Sequence, residues 1–285
     1  MIFPQLAEEA NLNQLRAYLE DPNKVAEQKL DGHRILLCSP GGDYPPTALT
    51  RNGTPYTKGL PKALMEFRFP NDPNPQSFIL DGELVDGVFW VFDIPQSPAT
   101  DPTMPLTDRR FVLEHTFHLW AKGNPAIKLV PQARTFEEKV SLAEYALRNN
   151  FEGLIFKDAS SPYRSGARTM EWTKLKFVTT ADCEVLAVRD DGKESIKLGM
   201  TQRTETTGIP GHLDRVVEVG RTSLIGKEKH DTIAVGDVVE VKYLYVGANG
   251  RLYQPTLLRK RDDKRPDECL TSQMKHVNKA VLEVL

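Results

Sequence analysis

The chain has 285 residues, with 37 basic and 39 acidic side chains, a formal charge of −2 at pH 7, and hydrophobic and charged contents of 40% and 27%. At roughly 150 residues per domain this describes a two-domain soluble globular protein rather than a fibrous, disordered or strongly basic chain. No apolar run reaches the roughly 20 residues of a membrane span, and "MIFPQLAEEANLNQL" lacks the basic-then-apolar order of a secretory signal. Seventeen residues of each charge lie from Ala181 onward, leaving 20 basic and 22 acidic before it. Neither part is basic, so a nucleic-acid-binding face would have to be a local patch. The three cysteines, Cys38, Cys183 and Cys269, form no CxxC pair and cannot build a Cys₄ zinc site. A reduced, cytoplasmic setting with cysteines as small buried apolar groups is expected.

Taken in chain order, "LAEEANLNQLRAYLE" has near-helical apolar spacing and predicts an amphipathic helix ended by Asp21-Pro22. Next comes "VAEQKLDGHR", where Lys29 stands two residues before an Asp-Gly pair. Asp-Gly between alternating residues is a hairpin signal, and a lysine held beside a tight turn also suits a reactive amine. Short strands follow in "RILLCS", "TALTRNG", "SFILDGELV" and "VFWVFDI", with Asp81 and Glu83 placed at a turn between apolar runs. "PQSPATDPTMP" reads as a loop. "LTDRRFVLEHTFHLW", opened by a Thr107 cap, and "RTFEEKVSLAEYALRNN" read as helices, and "EGLIFKD" and "EWTKLKF" as strands. Strand periodicity puts Lys174 and Lys176 on one face. This is an α+β pattern without regular βαβ alternation.

Past Phe177 the helical pattern nearly stops, and the boundary is set near Thr179–Asp182, giving domains 1–179 and 180–285. "CEVLAVR", "DRVVEVGR", "GDVVEVKYLYV" and "RLYQPTLL" are β segments, and about five strands in such a length suit an OB-fold barrel, with a sandwich as the other solution. Residues 189–213 are long and polar for a barrel connection and read either as a surface loop or as a hairpin that grips a ligand. His33, His115 and His118 lack metal-ligand context and read as surface or packing residues.

The ordered set "KLDGHR", "LTRNG", "ILDGELV", "FWVFDI", "EGLIFKD", "WTKLK" and "RKRDDK", running from about Glu27 to Lys264, resembles the motif series of ATP-dependent DNA ligases. These belong to the covalent nucleotidyltransferases, together with RNA ligases and mRNA capping enzymes. One KxDG is weak, whereas seven motifs in order are specific. The resemblance implies an α+β nucleotidyltransferase domain followed by an all-β OB-fold barrel.

It also implies roles for particular residues. Lys29 would attack the α-phosphorus of ATP to form lysyl-AMP. A free lysine, with a pKa near 10.4, is neutral only about once in 2,500 at pH 7, so neighbouring cations or desolvation must favour the free amine. Lys174, Lys176 and Arg34 are the candidate cations and would also contact the α-phosphate and ribose. Glu83 and Glu152 would hold the ribose and a divalent metal, Mg²⁺ or Mn²⁺. Phe92 would stack on adenine, Glu27 would sit beside its amino group, and Arg51 would contact the nucleotide or the nick phosphate. Asp31 would fix the turn or receive a proton. Arg261, Asp263 and Lys264 would orient the pyrophosphate, with the second domain closing and reopening about a joint at Thr179–Asp182.

The implied activity is sealing of 5′-phosphate/3′-hydroxyl nicks in duplex DNA by a monomer without membrane association, through lysyl-AMP and 5′-adenylated DNA. The chain starts 28 residues before Lys29 and carries no zinc or helix-hairpin-helix signature, which points to a minimal, ATP-using form. An RNA ligase or a GTP-using capping enzyme shares part of the motif set. A non-catalytic OB-fold binder of single strands would have no use for the nucleotide-site residues.

Overall fold

Strands organise both parts of the chain, in a computed structural model that describes residues 2–42, 44–66, 77–120, 124–189, 194–205, 212–224 and 233–274. The chain divides into two units, Met1–Lys176 and Phe177–Glu283.

The first unit is mixed α and β, with two five-stranded sheets. One sheet has the order β1 (Leu6–Glu9), β10 (Arg168–Lys176), β9 (Gly153–Asp158), β2 (Lys24–Gln28) and β8 (Gln132–Ala133). The other has the order β4 (Thr47–Thr50), β3 (His33–Ser39), β5 (Phe78–Val85), β6 (Val88–Gln96) and β7 (Ile127–Leu129). Four helices accompany them among the described residues: α1 (Leu15–Glu20), α2 (Lys62–Met65), α3 (Leu106–Trp120) and α4 (Phe136–Arg148). Ile35, Leu37, Leu80, Phe89, Val91 and Ile94 of the second sheet form a buried core with Leu113 of α3.

Four local expectations are corrected here. Asp31-Gly32 closes no hairpin, because β2 pairs with β8 and β9 while β3 pairs with β4 and β5. The turn carries the chain from one sheet to the other and packs on the end of β5, where a Cβ on Gly32 would lie 2.4 Å from the Leu84 carbonyl oxygen. Asp81-Gly82 is likewise no turn, but a bulged stretch inside β5. Leu6–Glu9 is strand, with Leu6 opposite Arg168 in a parallel pairing, and the helix shrinks to Leu15–Glu20. A short run with few apolar residues fits either period, and the free edge of β10 decides it. Finally, α3 starts at Leu106, so Thr107 lies in its first turn. The Leu106 N–H donates instead to the Ser161 carbonyl (2.8 Å).

Helix α4 has the start that its sequence announces. Thr135 Oγ1 accepts the Glu138 N–H (3.2 Å) and Glu138 Oε2 accepts the Thr135 N–H (3.0 Å), a reciprocal capping box. From this helix the buried Lys139 donates to the carbonyls of Tyr18, Asp21 and Lys24, satisfying the end of α1 and tying it to the start of β2.

The second unit has one antiparallel sheet among the described residues. Its order is β13 (His212–Ser223), β12 (Ser195–Glu205), β11 (Thr179–Arg189), β14 (Val238–Tyr243) and β15 (Thr256–Lys260). Burial alternates along β11, with Ala181, Cys183 and Val185 inside, where they join Leu198, Met200, Val239 and Val241. Cys183 and Cys269 are fully buried as expected, whereas Cys38 is half-buried, and all three are free thiols.

The surface-loop reading of 189–213 is corrected. Ser195–Glu205 pairs with β13 along its length, and residues 190–193 and 206–211 lie outside the described residues. Ile196, Leu198 and Met200 alternate inward behind a polar outer face, which hid the strand period. Thr179–Asp182 is also regular strand, paired residue by residue with Tyr243 to Glu240, so the connecting dipeptide is Phe177-Val178.

At Gly153 (φ +152°) an added Cβ would lie 2.0 Å from the Leu175 carbonyl oxygen. Gly153→Ala is therefore predicted to destabilise the first unit by about 2–4 kcal/mol, read as a fall in thermal midpoint. An unchanged midpoint would mean that β9 and β10 do not approach this closely.

Candidate active site

Lys29 leaves the end of β2 held at both ends by one dipeptide. Its backbone N–H donates to the Gly153 carbonyl (2.9 Å), and its ammonium donates to Glu152. The other oxygen of Glu152 receives Lys176 at 2.7 Å, so one carboxylate bridges two ammonium groups. Glu152 is 5% exposed and Lys29 19%, so the pair stands at the edge of a depression rather than in bulk water. Burial alone would raise the Glu152 carboxyl, but its hydrogen bonds to Lys176 and Lys29 outweigh that and hold it below the usual carboxylate range.

The depression is a cavity of about 300 Å³ in the first unit. Its wall includes Glu27, Lys29, Arg34, Arg51, Glu83, Phe92, Lys174 and Lys176 from the sequence-derived set, together with Lys157, Arg168 and Trp172. Glu152 reaches it through Lys29 and Lys176. Asp31 sits exposed on the turn, and the acid on the Lys29 ammonium is Glu152.

Arg34 is not a free cation, as expected from sequence, but half of a buried fork. It lies opposite Glu83 in the β3–β5 ladder, yet its Nε and Nη2 donate to Asp81 Oδ1 and Oδ2 at 2.6 and 2.7 Å. The Tyr163 hydroxyl donates to the same carboxylate (2.6 Å), and the Gln5 carbonyl accepts from Arg34 Nη2 (3.3 Å). Glu83 is left accepting one N–H, from Gly32 (3.2 Å), with no ion-pair partner among the described residues. Burial pushes its carboxyl above the ordinary range, against the pull of Arg34 and Lys29.

At the buried end, Phe92 (8% exposed) has the Arg34 guanidinium and the Lys157 ammonium each 4.4 Å from its ring centroid. Trp172 stands edge-on to it at 6.1 Å. Glu27 lies 2.5 Å from Lys157 and accepts from Gln132 Nε2 at 2.9 Å. Lys174 lies 3.7 Å from Glu9, and burial lowers its ammonium below the usual lysine range, helped by Arg168, Lys176 and Lys29 and opposed by Glu9.

Trp172, Lys174 and Lys176 recur at period two on β10, and Ile155 and Lys157 do so on β9. Alternation therefore contained Trp172 and Lys157 as site residues that the sequence reading left without a role. Tyr163, Gln132 and Gln5 carried no local signal.

Arg261, Asp263 and Lys264 belong to the second unit and are ordered there. Arg261 forks onto Asp263 (2.8 and 2.8 Å) and reaches Asp182 (3.0 Å), and Lys264 donates to the other Asp182 oxygen at 2.5 Å. Their hydrogen bonds raise Arg261 and Lys264 above the usual values of their types and hold Asp263 below its own.

The family model of the ATP-dependent DNA ligase domain matches residues 4–89 and 86–176. The chain belongs to that family. A probable DNA ligase of Nocardioides sp. is 29% identical over 216 residues, covering 66% of this chain and 40% of that protein. The SPbeta prophage-derived DNA ligase-like protein LigB of Bacillus subtilis is 23% identical, covering 86% of this chain and 95% of its own length. Measured against probable DNA ligases of Nocardioides and Mycobacterium, the chain spans 40% and 58% of their lengths. Among solved structures, a Lig E DNA ligase (TM-score 0.58, 20% identity) aligns with 92% of this chain and all of that one. Mycobacterial DNA ligase D complexed with ATP (TM-score 0.54, 20% identity) aligns with 94% and 98%. At that identity these two support the fold. Among the described residues no helix is long and apolar enough to cross a membrane.

A carboxyl raised by burial costs stability wherever the unfolded chain carries it ionised, above its unfolded pKa near 4.3. Glu83→Gln should thus raise the thermal midpoint at pH 7, and the gain should vanish below about pH 4, where both states are protonated. A gain that persists in acid would remove ionisation of Glu83 as its cause.

Proposed function

We propose that the chain is an ATP-dependent DNA ligase that seals 5′-phosphate/3′-hydroxyl nicks in duplex DNA. The observation that carries this is Lys29 held by Glu152-Gly153 at the mouth of a cavity with an aromatic end and a cationic end. The Lys29 amine, released from Glu152, attacks the α-phosphorus of ATP. A P–N bond forms, the bond to the bridging oxygen breaks, and pyrophosphate leaves. The amine gives its proton to solvent, Glu152 orients it until then, and Asp31 shapes the turn. Lys174, Lys176 and Arg51 face the phosphates, where fixed cations stabilise developing charge. Arg34, committed to Asp81, orders the wall beside Phe92, on which adenine stacks. Transfer of AMP to the 5′-phosphate and attack by the 3′-hydroxyl then close the strand.

Glu83 and Glu152 fit a Mg²⁺ ion that draws its other ligands from phosphates and water. Glu83 has acceptor capacity to spare, and Glu152 gains it when Lys29 leaves. No group of three or more carboxylate, histidine or cysteine ligands converges among the described residues, so the protein alone builds no cage. When bound, the metal supplies charge neutralisation on the phosphates.

In this reading the first unit, Met1–Lys176, is the adenylation domain and the second, Phe177–Glu283, an OB-fold. The ladder order β13-β12-β11-β14-β15 supports the latter, as does the Leu252 N–H donating to the Val219 carbonyl (2.7 Å), which brings the chain ahead of β15 towards β13. Arg261, Asp263 and Lys264 orient pyrophosphate in the first step, once Asp182 gives up their cations. The protein works as a cytoplasmic monomer on sequence-indifferent phosphate contacts, and binding should weaken with salt.

Incubation with α-labelled ATP and Mg²⁺ should leave acid-labile label on the wild-type chain and none on Lys29→Ala, and a chase with nicked DNA should move the label to the 5′-phosphate. Label from GTP alone, or acceptance only of nicked RNA, would replace the reading by a capping-type or RNA-joining one. Lys264→Ala should slow lysyl-AMP formation at least about 10-fold more than sealing of pre-adenylated DNA. Equal losses in the two steps would remove Lys264 from the pyrophosphate.

A further inference from the structure

Glu27 combines two properties that pull against each other: it is 2% exposed, and it forms part of the cavity wall. A buried carboxylate needs fixed donors, and three surround it. Lys157 Nζ holds Oε2 at 2.5 Å in a charge-assisted hydrogen bond, and Arg110 Nη1 lies 3.8 Å from Oε1. The other oxygen, Oε1, accepts the Gln132 Nε2 hydrogen bond at 2.9 Å. Lys157, its ammonium pushed down by burial and sustained by Glu27, fixes Oε2, and Gln132 fixes Oε1.

Gln132 is itself aimed. Its Oε1 accepts from Arg134 Nε (3.2 Å), and Arg134 Nη2 donates to Glu114 Oε1 (2.8 Å). That oxygen also takes Arg110 Nε (2.7 Å), and Arg110 returns to Glu27 after giving Nη2 to the Val130 carbonyl (2.7 Å). A guanidinium can only donate and a carboxylate can only accept, so the amide between them has one allowed orientation, oxygen to Arg134 and nitrogen to Glu27. The ring Glu27–Gln132–Arg134–Glu114–Arg110 thereby sets the plane of a carboxylate whose terminal torsion is otherwise broad.

We infer that Gln132, held by Arg134, is a positioning residue that aims Glu27 at the nucleobase and makes the site choose adenine over guanine, an inference that rests on the nucleotidyl-transfer reading above. Phe92, Trp172 and Glu27 mark the buried, aromatic end of the cavity, where a base fits. An ionised carboxylate has about four acceptor sites, and the donors present leave capacity on the cavity side. Adenine brings a donor there, its exocyclic amino group, whereas guanine brings a carbonyl oxygen, an acceptor against an acceptor. Without the amide, Oε1 loses its aligned donor, the carboxylate can rotate about the Oε2 that Lys157 holds, and the contrast between the two bases shrinks.

The test measures initial rates of covalent labelling of the full chain from α-labelled ATP and GTP, with Mg²⁺, and takes their ratio. Gln132→Leu should cut the ATP preference at least about 10-fold, because discrimination that depends on one oriented polar group is lost with it. Arg134→Ala, which removes a half-exposed side chain, should cut it about 3-fold by freeing the amide to flip. An unchanged ratio in both variants, or equal loss with both nucleotides, overturns the inference while leaving nucleotidyl transfer intact. Absence of label on the wild-type chain overturns both. If the thermal midpoint shows that Gln132→Leu does not fold, Arg134→Ala decides by the same ratio.

Discussion

The placement of Lys29 depends on Glu152-Gly153 being two different things at once. Gly153 gives its carbonyl to the Lys29 backbone and, lacking a Cβ, lets β9 lie against the end of β10. Glu152 gives its carboxylate to the Lys29 and Lys176 ammonium groups. A larger residue at 153 would push β10, and Lys176 with it, away from the carboxylate. The backbone contact fixes where the lysine starts, and the side-chain contact fixes where its amine ends. Chemistry at that amine needs both.

The same logic recurs at other cations of the two units. Arg34 is matched by Asp81, Lys174 by Glu9, Lys176 by Glu152, and in the second unit Arg261 and Lys264 share Asp182. Cations gathered without counter-ions would repel one another, and those that are half-buried would also lose hydration. Carboxylates hold them in place, and in the proposed reaction a phosphate would take over. A polyanionic ligand would then exchange one set of ion pairs for another instead of paying full desolvation. Arg34 is the exception. Doubly bonded to a carboxylate with no exposed surface, it belongs to the framework.

Glu27, Lys29, Arg34, Arg51, Glu83, Phe92, Lys174 and Lys176, picked out in the sequence from short ordered motifs, line one cavity because strand alternation turns them onto it. Sequence alone misread turns. Asp31-Gly32 and Asp81-Gly82 carry the same dipeptide, yet one crosses between sheets and the other bulges a strand. What separates them is the partner each strand finds, far along the chain. The Leu6–Glu9 strand was hidden for the same reason: its partner, β10, begins at Arg168. Ser195–Glu205 was hidden by its polar outer face. Gln132 lies 105 residues from Glu27, and Tyr163 lies 82 from Asp81. No periodicity reports a partnership at that distance, whereas the capping box of Thr135 and Glu138 spans three residues.

Glu83 shows what the site gives up for its chemistry. Its cross-strand neighbour is Arg34, the obvious counter-ion, and the two strands hold them in register. The guanidinium nevertheless turns diagonally to Asp81, where a fully buried carboxylate with the Tyr163 hydroxyl already on it makes the stronger claim. An unpaired Asp81 at zero exposure would cost more than an unpaired Glu83 at the cavity wall. The hierarchy of burial thus assigns the arginine to structure and leaves the more accessible acid open on the cavity side. An acid left open in this way is what a metal or ribose hydroxyl needs, and no substitution that satisfied Glu83 internally could preserve it.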